Sequence, residues 1–545
     1  MGARQNRNIR DNIFVVNAVT NETIRKKKEG LDIQIFDAYK CFDKLWAKEC
    51  FNDVYESGFT DDKLPLLFKE NMNAQVAVKT KTGTTERTCI SEIIMQGTVW
   101  GSLMCTSTMD KLGKEAYNKP QNLYKYKGVP IPPLGMVDDI ITVSSVENTL
   151  TMNKMVNNFI EKKKLKLSET KCSRIHIGKG HNNCPKLNVH EHEMEDSEHE
   201  KYLGDIIDKN GKIQATIDNR KKRGQGAIAE IMAILNEIPF GKYRFEVAMK
   251  LRESMLLNRM LFNSEAWHGL TLADVASLEK IDKALLRCIL KAHKGTSNTL
   301  LYLETGAVPI KWILSQRRIN YLKHLLTRSE NELVRKVYEA QKKNPVQGDF
   351  AKLVEKDLRS FELTHEEVAS TTMTKTALKK ELRIKAKKLA FVELMSKLQQ
   401  GTKGKDLKYN SLEMQDYLKS DKLNIKDKNT MTALRTKCVK GIRSNFSGMY
   451  KLCQHCPLAC NTTEPHADTQ KHVLECSELG PASNLDLDFM FAGCEEQSKL
   501  AKEFSKRMTM RRQLLEDSPE DSTACCLHRP GGIPDQSTPR GAAAI

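Results

Sequence analysis

The chain has 545 residues, of which 40% are hydrophobic and 29% are charged. This composition predicts a globular protein with several domains and excludes an intrinsically disordered chain. Lysine and arginine outnumber aspartate and glutamate by 87 to 69, which leaves a net charge of +18. The excess indicates a polyanionic partner, with nucleic acid favoured over an anionic membrane surface; a solvated basic surface is the plainer alternative.

The sequence predicts neither a membrane span nor a secretory signal. No apolar run reaches the ~18 residues that a spanning helix needs. Basic residues surround the only short apolar run of the first 30 residues, which differs from a secretory signal. Most of the 15 cysteines are scattered singly, as reduced thiols are in intracellular proteins. We therefore expect an intracellular protein with no membrane partner.

The first 210 residues alternate between strand and helix patterns, which predicts an α+β fold. Leu31, Ile33 and Ile35 share one face of the segment 31–37 and indicate a strand. The predicted elements are a helix around 13–19, the strand 31–37, a helix from about Asp43 with an apolar stripe of Phe51, Val54 and Tyr55 and a cap at Gly58, a hairpin around 81–83, a helix over 102–113, two short strands within 133–145, a helix over 148–164, and strands near 173–178 and 201–207.

From about residue 219 to residue 400 the periodicity is almost wholly helical. Gly306 and Pro309 interrupt it, and a new helix is predicted to begin at Ile310. The window 375–388 is typical of a basic amphipathic helix. Its apolar line consists of Leu378, Leu382, Ala386 and Leu389. Residues 480–545 lose this periodicity and predict a tail.

Three aspartates are candidates for chemistry. Asp37 ends the first strand, where a carboxylate is unfavourable unless it is paired, metal-bound or open to a cleft. Asp138 and Asp139 lie together at the tip of the predicted hairpin 133–145, so their charges repel unless a cation neutralises them. A hard divalent ion with oxygen ligands would do so, and a pair of Mg²⁺ ions suits phosphoryl transfer. An ordinary acidic surface turn is the alternative.

Five segments follow one another around these aspartates. They are FDAYKCFD (36–43), MQGTVWGSL (95–103), GMVDDI (135–140), LSETKCSRIHIGK (167–179) and KYLGDIID (201–208). In this order and spacing they resemble the palm motifs of reverse transcriptases from non-LTR (LINE-like) retrotransposons. LETGAVPIKWILSQRR (303–318) resembles a thumb-side segment of the same proteins, and the resemblance covers about residues 5–480.

The resemblance implies a two-metal nucleotidyl transfer. Asp37 and Asp138, assisted by Asp139, would hold two Mg²⁺ or Mn²⁺ ions, and Lys171 would protonate the pyrophosphate leaving group. Phe42 would stand where a ring excludes the 2′-hydroxyl of a ribonucleotide. Without the resemblance, Lys171 is more simply explained as solvated surface and Phe42 as a core aromatic.

Two further sets of residues take their roles from the same resemblance. Gln96 and Gly97 would lie under the incoming nucleotide and the template base, whereas the residues alone indicate a helix-entry turn. Tyr202, Leu203 and Gly204 would form part of the turn that grips the primer end, whereas the residues alone indicate an ordinary turn after a strand.

The ends of the chain depart from the family pattern. Residues 2–19 resemble only the last piece of the fingers region, so we expect an N-terminally truncated copy. Nothing after residue 480 resembles an endonuclease, so we expect this chain to carry none.

A cysteine–histidine cluster lies between 452 and 476. Cys453 and Cys456 precede His472 and Cys476, whose i,i+4 spacing places both on one side of a helical turn. Two cysteines, a histidine and a cysteine suit a structural tetrahedral Zn²⁺ site. Cys460 is an alternative ligand, and free cysteines in a loop are the other interpretation. The spacing also resembles the CCHC motif that follows the thumb in these retrotransposon proteins.

The sequence therefore predicts an RNA-directed DNA polymerase that extends a DNA primer or target on an RNA template from dNTPs, in the nucleus at the site of integration. A catalytically inactive nucleic-acid-binding derivative is the second hypothesis, and a maturase-like or telomerase-like polymerase the third. The fold expected is a right-hand palm with an antiparallel sheet, followed by helical regions. The predicted domains are 1–30 (fingers remnant), 31–212 (palm), 213–330 (helical thumb), 331–435 (basic helical extension), 436–480 (zinc-binding module) and 481–545 (tail).

Overall fold

The structure is a computed structural model. It describes residues 8–26, 30–60, 62–72, 74–90, 93–94, 98, 100–179, 185–238, 243–401, 407–439, 442, 469–481 and 483–516. The chain divides into two compact units. The first unit comprises 1–239, 243–289 and 298–415, and the second comprises 240–242, 290–297 and 416–545.

The described strands lie in the first 210 residues and include a five-stranded sheet. They are β1 (Leu31–Asp37), β2 (Ala74–Val76), β3 (Lys79–Thr80), β4 (Gly83–Thr84), β5 (Thr88–Ile90), β6 (Tyr124–Tyr126), β7 (Val129–Ile131), β8 (Leu134–Met136), β9 (Asp139–Ser145), β10 (Ser173–Ile177), β11 (Asn188–Val189), β12 (His192–Glu193), β13 (Glu195–Asp196), β14 (His199–Tyr202) and β15 (Asp205–Asp208). The sheet has the order β13-β10-β1-β9-β8, antiparallel except for β10 with β13.

Helices make up most of the remaining described chain. They are α1 (Ile9–Lys26), α2 (Cys41–Lys44), α3 (Ala47–Glu56), α4 (Lys63–Met72), α5 (Gly101–Tyr117), α6 (Thr149–Lys162), α7 (Gln214–Glu237), α8 (Arg244–Leu251), α9 (Asn258–Met260), α10 (Leu272–Leu290), α11 (Asn298–Thr305), α12 (Ile310–Leu326), α13 (Leu333–Lys343), α14 (Phe350–Ser360), α15 (His365–Ala369), α16 (Lys375–Gln400), α17 (Asp416–Lys419), α18 (Ile425–Arg435), α19 (Gln470–Glu475) and α20 (Cys494–Glu516). The predicted α+β class is confirmed. None of the described helices is both long enough and apolar enough to cross a membrane.

β1 lies at the centre of the sheet and is buried from Leu31 to Phe36. Two of its buried polar side chains, Asp32 and Gln34, are held by contacts with neighbouring elements. The Asp32 carboxylate lies 2.7 Å from Nδ1 of His176 on β10, and Gln34 Nε2 donates to the carbonyl of Thr149 at 3.0 Å. The packing therefore holds β1 firmly up to its half-buried end at Asp37.

One hydrophobic core covers the end of β1. It combines Phe36 with buried residues of α2, α3, α5 and α6. Cys41 of α2 and Cys105 of α5 meet there, with their sulfur atoms 3.6 Å apart. The segment that follows Asp37 is thus fixed to α5.

α1 is almost wholly buried, and its side chains reach distant parts of the first unit. Asp11 accepts a hydrogen bond from the Tyr321 hydroxyl and lies within 2.9 Å of His324 Nε2. Asn17 donates to the carbonyl of Ala266 at 3.1 Å, and Asn21 donates to Asp349 Oδ1 at 2.7 Å. These bonds tie α1 to the helical part of the unit.

The prediction of one helix from about Asp43 is wrong about where the helix begins and about one residue of its apolar stripe. α2 ends at Lys44, and the extended Leu45 and Trp46 separate it from α3. Trp46 pairs with Ile93, so a tertiary contact overrides the helical pattern. Tyr55, assigned to the apolar stripe, is exposed.

Later helices follow the sequence pattern more closely. α12 begins at Ile310, as predicted. The buried line of α16 runs through Leu378, Leu382 and Ala386 but continues to Ala390, not Leu389, because it keeps an i,i+4 spacing. Residues 494–516, which belong to the predicted tail, form α20.

Candidate active site

The three aspartates meet at one end of the sheet. β1 and β9 are antiparallel, and their register pairs Asp37 with Asp139. β8 and β9 form a hairpin in which Met136 faces Asp139, so Asp138 lies in the turn between them. Asp37 and Asp139, which are 139 − 37 = 102 positions apart in sequence, are thereby brought onto neighbouring strands.

The turn itself is strained. Val137 has φ +61°, a left-handed conformation that a β-branched residue rarely adopts. Val137 is partly buried and packs against the core around α5. Backbone strain of this kind persists where surrounding structure fixes it, and it clusters at functional sites.

The electrostatics of the aspartates are unfavourable for a metal-free site. Burial, and then the negative charge of Asp37, raise the pKa of Asp138. Burial, Asp138 and Asp37 raise the pKa of Asp139 to about 6. A nearby cation would lower the pKa of both carboxyl groups.

Lys171 supplies one such cation. Its Nζ lies 3.1 Å from Asp37 Oδ2, although the lysine side chain is 67% exposed. The loop before β10 positions it, since the Ser168 N–H donates to the carbonyl of Asp37 at 2.8 Å and the Lys171 N–H donates to the carbonyl of Ser168. The structure therefore places Lys171 at the carboxylates and not on a remote surface.

The carboxylates suit Mg²⁺ in ligand type and charge, because hard cations prefer oxygen ligands and neutralise mutual repulsion. In the described part of the chain, however, no group of three or more His, Cys, Asp and Glu side chains has a geometry that could hold a metal ion. Instead, Asp37 Oδ2 accepts a hydrogen bond from Lys171 Nζ. The donor set fits the ion, whereas the side-chain arrangement is that of an ion pair.

Phe42 lies close to this end of the sheet. α2 begins after Lys40, which has φ +47°, and Phe42 is partly buried against the core. Gln96 and Gly97 lie outside the described residues, so their place under the incoming nucleotide and the template base stays a prediction.

Tyr202, Leu203 and Gly204 lie where β14 turns into β15. Leu203 has φ +45° and Gly204 has φ +93°, which is the two-residue turn typical of tight hairpins. A side chain at Gly204 would also approach the Phe262 ring to 3.0 Å. Glycine is therefore favoured here by its backbone conformation, and a larger residue would also displace the Phe262 ring.

Side chains that sequence reasoning missed hold this turn. Arg220 Nη2 donates to the Gly204 carbonyl at 2.9 Å and to Asp205 Oδ1 at 2.6 Å. Asn263 Nδ2 donates to the Leu203 carbonyl at 3.0 Å, and Trp267 Nε1 donates to Asp205 Oδ2 at 3.1 Å. A lone arginine or asparagine in a helical pattern gives no local signal of such a role.

Only part of the predicted zinc site is described. His472 lies in α19 and Cys476 directly follows that helix, and both residues are buried. The Cys476 N–H donates to the His472 carbonyl at 2.7 Å, which keeps them one helical turn apart. Cys453, Cys456 and Cys460 lie outside the described residues.

Comparisons with known proteins bear on the first part of the chain. Residues 1–207 match a family described as "Reverse transcriptase (RNA-dependent DNA polymerase)". No curated protein matches the chain in sequence.

Three solved structures of yeast telomerase are similar to the chain. Apo telomerase from Candida tropicalis has 14% identity and a TM-score of 0.31, over 68% of this chain and 56% of that one. Candida tropicalis telomerase with a TWJ fragment of telomeric RNA has 13% identity and a TM-score of 0.31, over 60% of this chain and 52% of that one. The equivalent complex from Candida albicans has 11% identity and a TM-score of 0.32, over 67% of this chain and 52% of that one.

The chain spans about half the length of these telomerase chains. The family match includes β1, the β8–β9 hairpin, Lys171 and the Leu203–Gly204 turn. The side chains that hold this turn, Arg220, Asn263 and Trp267, come after the matched residues. Residues 1–207 are therefore similar to a reverse transcriptase domain.

Proposed function

We propose that this chain is the RNA-directed DNA polymerase of a non-LTR retrotransposon, which extends a DNA 3′ end on an RNA template. The observation that carries the proposal is the pairing of Asp37 with Asp139, beside Asp138, at the end of a sheet within the residues that match the reverse transcriptase family. Carboxylates on neighbouring strands are the arrangement that two-metal nucleotidyl transfer uses.

In the proposed reaction, the primer 3′-hydroxyl attacks the α-phosphorus of a dNTP in line, and pyrophosphate leaves. Asp37, Asp138 and Asp139 would hold two Mg²⁺ or Mn²⁺ ions, which would lower the pKa of the hydroxyl and neutralise the triphosphate when bound. Lys171, whose Nζ already contacts Asp37, would give a proton to the pyrophosphate. Phe42, just after the catalytic strand, would exclude ribonucleotides, with Gln96 and Gly97 under the incoming nucleotide.

The charge of the chain supports binding of a template–primer duplex. α16 buries Leu378, Leu382 and Ala386, and it exposes a basic side that carries Lys379, Lys380, Arg383 and Lys388. Phosphate contacts by such lysines and arginines release counterions, so we expect affinity for the duplex to fall steeply as salt rises.

The assignment to a non-LTR element draws on the motif order and on the segment LETGAVPIKWILSQRR. Its partners would be the element RNA, a DNA target and dNTPs. The place of action that goes with this chemistry is the nucleus, at the site of integration.

The experiment that tests the proposal is dNTP incorporation on poly(rA)/oligo(dT) with Mg²⁺. We expect the purified chain to extend the primer and the Asp138→Ala variant to lose at least 10³-fold in rate, since it removes a charge that acts directly on the reacting groups. Incorporation no higher than that of Asp138→Ala would contradict the enzyme proposal.

One observation favours a second candidate, a catalytically inactive nucleic-acid-binding protein. Asp37 is paired with Lys171, and the described carboxylates have no metal-holding geometry. Salt-dependent binding of the duplex without incorporation would support this candidate.

We also propose a structural Zn²⁺ site formed by Cys453, Cys456, His472 and Cys476, with Cys460 as an alternative ligand. The support is the spacing, together with the burial of His472 and Cys476 one helical turn apart.

Metal analysis of the full chain is expected to find about one Zn per molecule. Cys476→Ser should lose it, whereas Cys494→Ser, a cysteine in α20, should keep it. A zinc-free chain with unchanged stability would rule the site out.

A further inference from the structure

Asn12 is a buried polar side chain in α1. It has no exposed surface, and it lies in α1 beside Ile13, Phe14 and Val15, which are buried as well. Burying an amide is unfavourable unless it forms hydrogen bonds. Asn12 forms two, and both are donated by Nδ2, which carries two N–H groups.

The two acceptors belong to the two hairpins of the candidate active site. One is the hydroxyl of Tyr202, at 3.1 Å, the last residue of β14 before the Leu203–Gly204 turn. The other is the carbonyl of Gly135, at 3.3 Å, the middle residue of β8. Gly135 pairs with Ile140 in the hairpin whose turn carries Asp138. A single amide group therefore joins the hairpin of the carboxylates to the hairpin predicted to grip the primer.

α1 provides Asn12 with a rigid base. Asp11 is bound by Tyr321 and His324, and Asn21 is bound by Asp349. The helix is thus fixed on both sides of Asn12 by bonds that do not involve either hairpin. A shift of one hairpin relative to the other would break at least one Asn12 bond while α1 stays in place.

We propose that Asn12 is a positioning residue for nucleotidyl transfer: it sets the separation between the Asp138–Asp139 turn and the Leu203–Gly204 turn. The inference rests on the proposed function, in which the second turn holds the primer end. The attacking hydroxyl must lie within about 3–3.5 Å of the phosphorus, and a misplacement of about 1 Å costs on the order of 100-fold in rate.

The test compares Asn12→Ala with Asn17→Ala. Both changes remove an α1 asparagine that donates a long-range hydrogen bond, but the hydrogen bond of Asn17 goes to Ala266, which belongs to neither hairpin. We expect Asn12→Ala to lower kcat by 10- to 100-fold with KM for dTTP changed less than threefold, because positioning affects the chemical step. Asn17→Ala should keep kcat within threefold of the unmodified chain.

Tyr202→Phe supplies a second variant, which removes one acceptor oxygen and keeps the ring. If Asn12 acts through Tyr202, the double variant Asn12→Ala/Tyr202→Phe loses no more kcat than Asn12→Ala alone. Multiplicative losses, or equal losses in Asn12→Ala and Asn17→Ala, would overturn the proposal. Circular dichroism at the assay temperature verifies that each variant is folded.

Hydrogen exchange gives a readout that needs no catalysis. The amides of both turns, at 137–139 and 203–205, should exchange faster in Asn12→Ala than in Asn17→Ala. A chain that never incorporates dNTPs contradicts the proposed function. Equal hydrogen exchange of the turn amides in the two variants contradicts the role of Asn12. The two failures are therefore distinguishable.

Discussion

Replacing Asp138 with asparagine is expected to make the metal-free protein more stable while it removes catalysis. Burial and the charge of Asp37 raise the pKa of Asp138 in the folded chain. A carboxyl with a raised folded pKa lowers stability above its unfolded pKa, and this penalty disappears as pH falls through the folded pKa. At pH 8 in EDTA, the free energy of unfolding should rise on the order of 1 kcal/mol, a figure reduced for the partial exposure of the group.

The same variant should respond weakly to Mg²⁺. A cation that binds only the folded chain stabilises it in proportion to its affinity, so the unmodified chain should gain in melting temperature when Mg²⁺ is added. Asp62→Asn, at an exposed carboxylate, serves as the control and should behave like the unmodified chain. Equal stability of Asp138→Asn and the unmodified chain in EDTA at pH 8 would show that the carboxylates do not repel one another.

The second large effect concerns the ion pair behind the Leu203–Gly204 turn. Asp205 and Arg220 are both buried, and their charged atoms are 2.6 Å apart. Asp205→Ala leaves the Arg220 guanidinium buried without its counter-charge and leaves Trp267 Nε1 without its acceptor. Loss of one partner of a buried pair costs about 3–5 kcal/mol, so we expect a comparable fall in the free energy of unfolding by denaturant.

Asp208→Ala on the same strand is the matched control. Asp208 is buried to a similar degree, but its ion-pair partner His199 is exposed. We expect Asp208→Ala to lower the free energy of unfolding by only about 1 kcal/mol. Equal effects of the two substitutions would indicate that Arg220 does not depend on Asp205 for its charge balance.

The sequence predicted elements whose causes are local. The strand 31–37 is set by alternation, and the hairpin 133–145 by its apolar segments and acidic turn. Pro309 ends one segment and α12 starts directly after it. In each case the residues that decide the element are within a few positions of it, so a single sequence is sufficient.

Elements decided by distant contacts were not predicted. The pairing of Trp46 with Ile93 splits the helix predicted from Asp43. The aspartates were found because a carboxylate at a strand end is conspicuous. Asn12 was not found, because it directly precedes the apolar run IFVV and follows the polar Arg10 and Asp11, so the local pattern does not mark it as buried.

The long-range contacts of α1 have a consequence for folding during synthesis. Its hydrogen bonds join residues as many as 328 positions apart in the chain, from Asn21 to Asp349. At about 5–20 residues per second, the ribosome takes roughly 15–65 s to add the intervening residues. Until those residues are added, α1 cannot bury its apolar side chains in their native packing position. Contacts of such high sequence separation slow folding, so the apolar side chains of α1 depend on protection while the chain grows.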